Sequence, residues 1–562
     1  MDSADQILAS SPQEIDRLRA RYADPRTQAL PYPDLHRHIL SLAERGRLFW
    51  VDRPINKDTE MHPLVRWQFR GGLPEPQRKA FLFTRPIDAK GRQYLGATLV
   101  AGLAGNREIY SLGMGVPLAE IGAAWVRAMA TPIAPVIVTD AVCHDIVVTG
   151  DALKAPGAAL DGLPVPISTP GWDNGAYFSA GHFITKDPDT GIQNLGNYRG
   201  QVKDVLRVGM NPSIEQRAGI YLHWLKYKER RQKMPTAIVA GCPPVVSYTA
   251  VQKVPEDLDE LAVAGALAGA PLRVTPAKTV DLLVPAEAEW VIEGYIDTEL
   301  LEPEAPFGES HGYVNLSEYN AFMEVTAITR RRDPVLTSFI SQVTPSESST
   351  IKRVAYEPMV LDHLQRGLGI RGIKRVSMHE PLTSVVALIV LIVDRAMPAT
   401  EVWRALYAAS QVHRFAGRWV IAVNDDIDPE NSDAIWWAVC YRAQAQHDIR
   451  ILDRKDPGHG PRFSRDNGET ASVLIDATLK DKVPPVALPK REFMERAREI
   501  WRELGLPDFT PQPPWHGYSL GFWPEHLEEQ ARLATAGESF ALGERLRQQR
   551  RSDVAMNQPI DE

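Results

Sequence analysis

Apolar residues at helical spacing predict a helix within the first fifty residues of the chain. Leu35, Ile39 and Leu42 fall at positions i, i+4 and i+7, which places them on one helix face. Gly46 follows and is a natural C-terminal stop for a helix. The next eight residues have an apolar centre that is typical of a strand. We expect Pro54 to end that strand, because proline cannot donate a hydrogen bond to a sheet.

Between about residues 79 and 340, short apolar segments alternate with glycine and proline. Four of these segments predict strands, at 80–84, 98–102, 236–241 and 289–297. A polar turn joins two further apolar segments and predicts a β-hairpin, formed by 320–329 and 335–340. Inserted helices are expected near 118–130, 214–226 and 258–267. Many short strands with few long helices favour a barrel-like β domain.

Beyond about residue 345 the pattern changes to alternating strands and helices. The apolar runs at 385–393 and 419–423 predict buried strands, and amphipathic segments at 400–409 and 432–444 predict helices. This alternation predicts an α/β layer domain. The chain from about residue 490 is charged and helical, with a proline-rich break at 509–514. Such a tail needs a surface to pack on, and a neighbouring subunit is a reasonable candidate.

Length, charge and cysteine content exclude several classes of protein. A chain of 562 residues is too long for one hydrophobic core and should divide into domains. The net charge is −8, acids and bases are mixed, and no basic stripe suggests a nucleic-acid partner. The longest apolar run has about half the length that spans a bilayer, and the first residues lack the apolar core of a signal peptide. Three scattered cysteines lack metal or redox spacing. We therefore expect a cytoplasmic enzyme without a membrane span.

The segment 302–313 (EPEAPFGESHGY) contains two carboxylates on a shaped loop. Pro303, Pro306 and Gly308 prevent a regular helix, so that Glu304 and Glu309 can both face one cavity. Neighbouring carboxylates raise the pKa of one of them, and a protonated carboxylic acid is what a carbon-protonation step requires. The alternative interpretation is a surface turn with two solvated glutamates.

Two other segments carry weaker signals. In 191–200 (GIQNLGNYRG), Asn194 suits a phosphate or a metal, and Arg199 offers a planar fork to an anion. In 255–265 (PEDLDELAVAG), Glu260 opens a helix of small residues. Taken alone, the first pattern is commonly turn chemistry, and the second is commonly a carboxylate that caps a helix and offsets its dipole.

Taken together and in this order, the three segments resemble the signature of UbiD-family decarboxylases. The signature is Asn-x4-Arg, then Glu-x3-Ala-Gly or a close variant, then Pro-Glu-x-Pro-Phe/Tyr-Gly-Glu/Asp-x-His/Thr-Gly-Tyr. The resemblance extends from about residue 33 to 480, through 44–48 (ERGRL), 51–55 (VDRPI), 423–428 (VNDDID), 433–439 (DAIWWAV) and 474–478 (LIDAT).

The resemblance implies a multidomain fold of mixed α+β and α/β class. Four parts are expected: an N-terminal segment that packs on the barrel (1–70), a split β-barrel that binds a prenylated flavin (71–344), an α/β oligomerisation domain (345–489) and a helical tail (490–562). A homodimer or homohexamer is the expected assembly, and a flavin prenyltransferase would supply the cofactor.

The resemblance also implies a carboxy-lyase that depends on prenylated FMN, a divalent metal and K+. The metal is expected to be Mn2+, with Fe2+ or Mg2+ as alternatives, and the implied ligands are Asn194 and Glu260. Leu195, Tyr198, Arg199 and Arg217 are also implied to line the cofactor. Arg199, Glu304 and Glu309 match the catalytic Glu-Arg-Glu network, in which Glu309 donates the proton.

The chain departs from the family pattern at one position. Family members usually have a histidine as a third metal ligand about eighteen residues after the arginine, whereas here Arg217 lies near that place. Glu215 or His223 could substitute for that histidine if the register differs, or Arg217 could contact the flavin phosphate directly.

The substrate implied by the resemblance is an aromatic or α,β-unsaturated carboxylic acid, or an aromatic acyl-CoA thioester such as phthaloyl-CoA. Its pocket should be apolar and aromatic, with Tyr198, Phe307 and the segment around Phe415 as walls. Two alternatives remain open: a non-catalytic subunit of a carboxylase or decarboxylase complex, and a flavin oxidoreductase. The oxidoreductase would need a glycine-rich dinucleotide-binding turn, which the sequence lacks.

Overall fold

The structure is a computed structural model that describes residues 10–214, 217–378, 387–413, 416–455, 470–480, 483–511, 514–517, 522–556 and 560. Helices precede and follow the strands of the N-terminal region, at Pro12–Arg21, Pro25–Gln28, Leu35–Glu44, Met61–Arg70, Arg107–Met114 and Ile121–Ala130. The predicted helix is confirmed as Leu35–Glu44, and the Asp34 side chain caps it by accepting from the Arg37 N–H at 2.9 Å.

A four-stranded sheet lies beside these helices. Its strands, in spatial order, are Leu48–Asn56, Ala80–Ile87, Ala97–Val100 and Val335–Ser338. The prediction that Pro54 ends the first strand is wrong, since the strand continues to Asn56. Leu48–Asn56 is an edge strand whose register shifts between Val51 and Pro54, and an irregular edge tolerates the missing proline donor.

A larger antiparallel sheet of ten strands forms the centre of the molecule. Along its main path lie Tyr177–Phe178, Gly200–Asp204, Arg207–Met210, Glu318–Arg330, Trp290–Ile296, Met234–Ala240, His182–Lys186 and Gln193–Asn197. Ile146–Thr149 and Glu302–Glu304 pair with the long strand Glu318–Arg330. Across the described residues no sheet closes on itself, so the mixed multidomain class is confirmed but the split barrel is not.

Smaller elements surround this central sheet. Three helices pack near it, Gly219–Glu229, Pro244–Ala250 and Glu260–Ala268, and three short strands form a separate sheet, Val136–Ile137, Arg273–Pro276 and Leu283–Pro285. A two-stranded ladder joins Phe307–Gly308 to Val314–Asn315.

The predicted hairpin of residues 320–340 is wrong. Glu318–Arg330 belongs to the ten-stranded sheet, whereas Val335–Ser338 pairs in parallel with Ala97–Val100 in the four-stranded sheet. The turn between them is held by long-range contacts, because buried Arg331 donates to Asp34 at 2.9 Å and to Glu289 at 3.1 Å. These interactions direct the chain from one sheet to the other.

The C-terminal domain confirms the predicted alternation of strands and helices. Its five-stranded sheet has the order Ile373–Ser377, Leu388–Val393, Trp419–Asn424, Thr470–Asp476 and Ile449–Lys455. Its helices are Glu347–Asp362, which continues into a π-helical turn at His363–Gly367, Ala399–Ser410, Ser432–Arg442 and Ala445–Asp448.

The apolar run of the central strand Leu388–Val393 is explained by cores on both faces of this sheet. Leu391 packs in one core with Leu406 of the helix Ala399–Ser410, and Ile392 packs in the other with Ile435. A strand covered on both faces needs apolar residues at every position.

Three helices form the tail, at Arg491–Glu503, Glu525–Thr535 and Ser539–Arg547, and none of their residues is buried. In the described part of the chain, no single helix has the length and apolarity to span a membrane. The segments Arg107–Met114 and Leu118–Ala130 pass that test only as a pair bent by 75°.

Candidate active site

The loop that carries the two candidate carboxylates is built from two short ladders. Glu302–Glu304 pairs with the start of the long strand Glu318–Arg330, so that Glu304 lies opposite Glu318. Residues Phe307–Gly308 then pair with Val314–Asn315, and Glu309 follows at the tip of that ladder. This arrangement anchors both carboxylates on sheet edges, and Glu304 is fully buried. The alternative of two solvated glutamates in a surface turn is therefore wrong.

Arg199 joins the two carboxylates. Its Nε and Nη2 donate to the two oxygens of Glu304 at 2.9 and 2.7 Å, and its Nη1 donates to Glu309 Oε1 at 2.6 Å. Asn320 Nδ2 adds a fourth hydrogen bond, to Glu304 Oε2 at 3.2 Å. The bidentate pair with Glu304 fixes the guanidinium plane and orients Nη1 towards Glu309.

The charge of Arg199 is stabilised in this interior position. Burial disfavours the cation, but the carboxylates of Glu309 and Glu304 outweigh burial and raise the pKa of Arg199 above its ordinary value. The Glu309 side chain keeps 15% of its surface exposed, against none for Glu304. Glu309 is thus the carboxylate of the network that lines the cavity.

Aromatic rings pack against this network. The Arg199 guanidinium carbon lies 5.5 Å from the ring centroid of Phe307, and the Phe307 and Tyr177 centroids are 4.5 Å apart. Tyr198 also lines the cavity and stacks edge-on against Phe183. Phe307 and Tyr198 therefore lie where the sequence predicted walls, whereas Phe415 lies outside the described residues.

Asn194 and Glu260 approach each other through Leu195. The Leu195 N–H donates to Glu260 Oε2 at 2.9 Å, and Asn194 precedes it on the strand Gln193–Asn197. Glu260 does not cap its helix, because Asp259 accepts the hydrogen bond from the Leu261 N–H instead. Burial raises the pKa of Glu260 to about 8, although the Leu195 N–H opposes this rise.

One polar atom beside Glu260 has no hydrogen-bond partner within the described part of the chain. The Asn194 Nδ2 atom is buried and makes no hydrogen bond to any described residue. The neighbouring helix residue is Gly219, where a Cβ atom would clash with Asn194 Oδ1. The amide oxygen is thus held close to a glycine, and the amide nitrogen is a buried donor without a geometric hydrogen bond among the described residues.

Two of the three residues named for the place of the third metal ligand, Arg217 and His223, line the cavity. Arg217 is exposed at the cavity wall and makes no ion pair with a described residue, and Glu215 is not among the described residues. His223 lines the cavity, but its Nδ1 is hydrogen-bonded to Thr185 Oγ1 at 2.9 Å, and burial lowers its pKa to about 4. Within the described ranges, no three His, Cys, Asp or Glu side chains cluster as a metal site.

All of these groups line one cavity of about 820 Å³. Its walls come from the ten-stranded sheet, from the helix Glu347–Asp362 and from the C-terminal domain through Ala387, His413 and Arg418. A cavity of this size accommodates a cofactor together with a small substrate. The predicted residues Asn194, Leu195, Tyr198, Arg199, Arg217, Glu260 and Glu309 all line it.

Sequence reasoning missed three contributors to this site. Asn320 orients Glu304, Gly219 admits Asn194, and Lys352 projects from the helix Glu347–Asp362 into the cavity wall. Only Gly219 had a usable signal, since a glycine at the start of a helix often marks a close approach.

The comparisons with known proteins agree with this geometry. Residues 138–343 match the 3-octaprenyl-4-hydroxybenzoate carboxy-lyase Rift-related domain, and residues 349–477 match the C-terminal domain of the same carboxy-lyase. An uncharacterised protein of Aquifex aeolicus is 28% identical over 514 residues, which cover 84% of this chain and 99% of the relative.

Solved structures give the same result. The UbiD-class enzyme HmfF from Pelotomaculum thermopropionicum, solved with FMN, is similar with a TM-score of 0.73 and 26% identity, over 83% of this chain and 100% of HmfF. The vanillic acid decarboxylase of Sedimentibacter hydroxybenzoicus shares the fold, with a TM-score of 0.68 and 22% identity, over 84% of this chain and 99% of that enzyme. With both domain matches and the Arg199 network in place, the chain belongs to the UbiD family of carboxy-lyases, which are decarboxylases.

Proposed function

We propose that the chain is a non-oxidative decarboxylase of an aromatic carboxylic acid that uses prenylated FMN, with Glu309 as the proton donor. The observation that carries this proposal is the pair of opposed contacts on Arg199: a bidentate bond to buried Glu304 and a single bond to cavity-facing Glu309. Structures of HmfF, 26% identical to this chain, are solved with FMN and with prenylated FMN, which supports the cofactor.

The residues present fit a flavin phosphate with a hard cation. Asn194 and Glu260 offer oxygen ligands of the type that divalent cations such as Mn2+ prefer, and the unpaired end of the Asn194 amide supports a missing partner there. Amide oxygen and nitrogen are interchangeable in such an assignment. Arg217, which makes no ion pair with a described residue, lines the same cavity wall and suits the flavin phosphate directly. K+ would offset a further part of the phosphate charge. When bound, the prenylated flavin supplies an electron sink that no side chain offers.

The residues of the chain then handle the proton and the geometry. Decarboxylation breaks the bond between the ring carbon and the carboxylate, releases CO2, and leaves an electron pair that a proton must take up. Glu309 is the carboxyl group that lines the cavity, where a proton donor must lie. Arg199 holds its Oε1, and the Ser310 N–H lies 3.4 Å from its Oε2. Glu304 has both oxygens engaged and keeps Arg199 in place. The proton donor and its supports are thus separate residues.

The experiment is co-expression with a flavin prenyltransferase, followed by mass analysis of the cofactor and a screen for CO2 release. Aromatic and α,β-unsaturated acids, with aromatic acyl-CoA thioesters such as phthaloyl-CoA, form the panel. Release of CO2 from at least one compound, with one prenylated FMN per chain, is expected. Full cofactor content without CO2 release from any of them would contradict the proposal, and folded protein without flavin would favour a non-catalytic subunit. Oxidation of NAD(P)H would favour the oxidoreductase alternative.

We also propose that the chain assembles with copies of itself, as a homodimer or homohexamer. One solved form of HmfF is described as dimeric, and the helix Ser432–Arg442 exposes Trp436 and Tyr441 at 52% and 76%. Large aromatic side chains at such exposure are typical of interfaces. Light scattering on the purified holoenzyme measures the assembly, and a monomer at micromolar concentration would contradict it.

A further inference from the structure

One face of the helix Glu347–Asp362 lines the active-site cavity with polar groups. Ser348, Lys352 and Tyr356 lie four residues apart and all reach the cavity wall. Residues at this spacing share one side of a helix. The helix therefore presents a lysine ammonium to the same space that Glu309 faces.

Lys352 is unpaired in this position. It is half-buried, and it makes no ion pair and no side-chain hydrogen bond with any residue that the structure describes. The Glu309 carboxylate acts on it through space and favours its charged form, whereas burial lowers its pKa. Partial burial of an ammonium group without a carboxylate partner costs free energy, unless an anionic ligand binds to it.

The charges around Arg199 show which ligand is required. One guanidinium binds two carboxyl groups in this network, so the network offers no excess positive charge to an anion. An aromatic acid enters as an anion, so the network alone does not attract it. The nearby substrate carboxylate also favours protonation of Glu309, which is the form that donates a proton. A lysine ammonium at the same cavity wall supplies the additional positive charge that a substrate carboxylate requires.

We propose that Lys352 binds the carboxylate of the substrate and holds it beside Glu309. This inference rests on the proposed function and adds a substrate-binding residue to it. Arg199 uses its Nε, Nη1 and Nη2 to bind the two glutamates. Lys352 is a second cation of the cavity wall, and the Glu309 carboxylate acts on it through space.

The test compares each acid with its neutral amide on the holoenzyme. Isothermal titration calorimetry measures the Kd of benzoate and benzamide, and of 4-hydroxybenzoate and 4-hydroxybenzamide. The wild type is expected to prefer the acids. Lys352→Met should raise the Kd of each acid roughly 10- to 100-fold, as expected for loss of a charged hydrogen bond, and should change the Kd of each amide less than twofold. Lys352→Arg should retain at least part of the preference. Lys90→Met, at an exposed lysine outside the cavity wall, is the matched control.

Three outcomes overturn the inference. The first is a wild type that does not prefer the acids, which includes a wild type that binds neither acid nor amide. The second is that Lys352→Met weakens the binding of acid and amide equally. The third is that Lys352→Met keeps the full preference for the acid. If Lys352→Met does not fold by circular dichroism, Lys352→Gln replaces it in the same comparison.

The binding test separates this inference from the proposed reaction, because calorimetry needs no turnover. Acid preference that depends on Lys352 without any CO2 release would disprove the reaction and leave an anion site. CO2 release with the same KM in Lys352→Met and wild type would disprove the role of Lys352 alone.

Discussion

The guanidinium of Arg199 and the carboxylate of Glu304 share two parallel hydrogen bonds, of 2.9 and 2.7 Å, in the interior of the protein. Strand pairing brings these two residues together although 105 positions separate them in the sequence. Because both oxygens of Glu304 are used, the third contact of Arg199 is free to hold Glu309 in one orientation. The Arg199–Glu304 pair thus positions the cavity-facing carboxyl group of Glu309.

Removal of Arg199 should destabilise the fold strongly. Arg199→Met leaves the buried Glu304 carboxylate without its partner, and we expect the free energy of unfolding to fall by about 3–5 kcal/mol. The double variant Arg199→Met/Glu304→Leu should recover part of that loss, because no buried charge remains unpaired. Urea unfolding followed by circular dichroism measures both values.

The matched control for that prediction is Arg207→Met. Arg207 also contacts two carboxylates, Asp204 at 3.1 Å and Glu302 at 3.3 Å, but its side chain is 41% exposed. Solvent screens such a pair, so its loss should cost less than about 1 kcal/mol. Equal destabilisation by the two arginine variants would show that the Arg199 network is not structurally special.

Replacement of Glu309 should remove the chemistry and preserve the site. Glu309→Gln keeps the size of the side chain and an oxygen for Arg199 Nη1, but it cannot supply the proton. We expect kcat for decarboxylation to fall roughly 10²–10⁴-fold, the usual contribution of a general acid, with unchanged cofactor content. Glu302→Gln, two residues before Glu304 and partly exposed, should stay within threefold of wild type. Comparable losses in both variants would assign the effect to the loop instead of the proton donor.

Asn194 and Glu260 should control cofactor loading. Asn194→Ala removes the amide whose Nδ2 is unpaired, and Glu260→Gln removes the carboxylate that the Leu195 N–H orients. After identical co-expression, each variant should carry at least about tenfold less flavin per chain, as is common when a metal-site residue is lost. Absorption spectra and metal analysis by mass spectrometry measure the loss. Glu256→Gln, an exposed carboxylate at the same cavity wall, should load like wild type.

Local signals in the sequence predicted much of the architecture. The helix after Asp34 follows from its cap and apolar spacing, and the run within Leu388–Val393 follows from burial on both sheet faces. The hairpin prediction failed because the turn near Arg331 is governed by Asp34 and Glu289, which are distant in sequence. Periodicity carries no information about such contacts.

The same limit applies to the active site. Spacing suggested that Glu304 and Glu309 could face one cavity, but their bonds to Arg199 were implied only by the family resemblance. Lys352 has no motif around it, and its importance depends on which helix face meets the cavity. A single lysine in a helix is ordinarily a surface residue, so only the three-dimensional arrangement distinguishes it.

Acid should weaken the fold through its buried histidines. Burial lowers the pKa of His38 and His182 to about 4 and that of His62 to about 3, and all three side chains are inaccessible to solvent. Between their ordinary pKa of 6.5 and these values, the unfolded chain binds protons that the folded chain does not. The free energy of unfolding therefore falls as pH decreases through this window, by up to about 1.4 kcal/mol per pH unit for each histidine.

His182 allows this pH dependence to be tested at one residue. Its ring nitrogens lie 3.0 Å from Asn197 Oδ1 and 2.8 Å from Ser247 Oγ, and a glutamine amide can both donate and accept in such a place. Between pH 7.5 and 5.0, His182→Gln should lose about 2 kcal/mol less stability than wild type, because one proton-binding site is absent from its unfolded chain. Urea unfolding at the two pH values measures the difference. The same replacement at exposed His526 should leave the wild-type dependence unchanged, and an identical acid loss in His182→Gln would contradict the assignment to this buried ring.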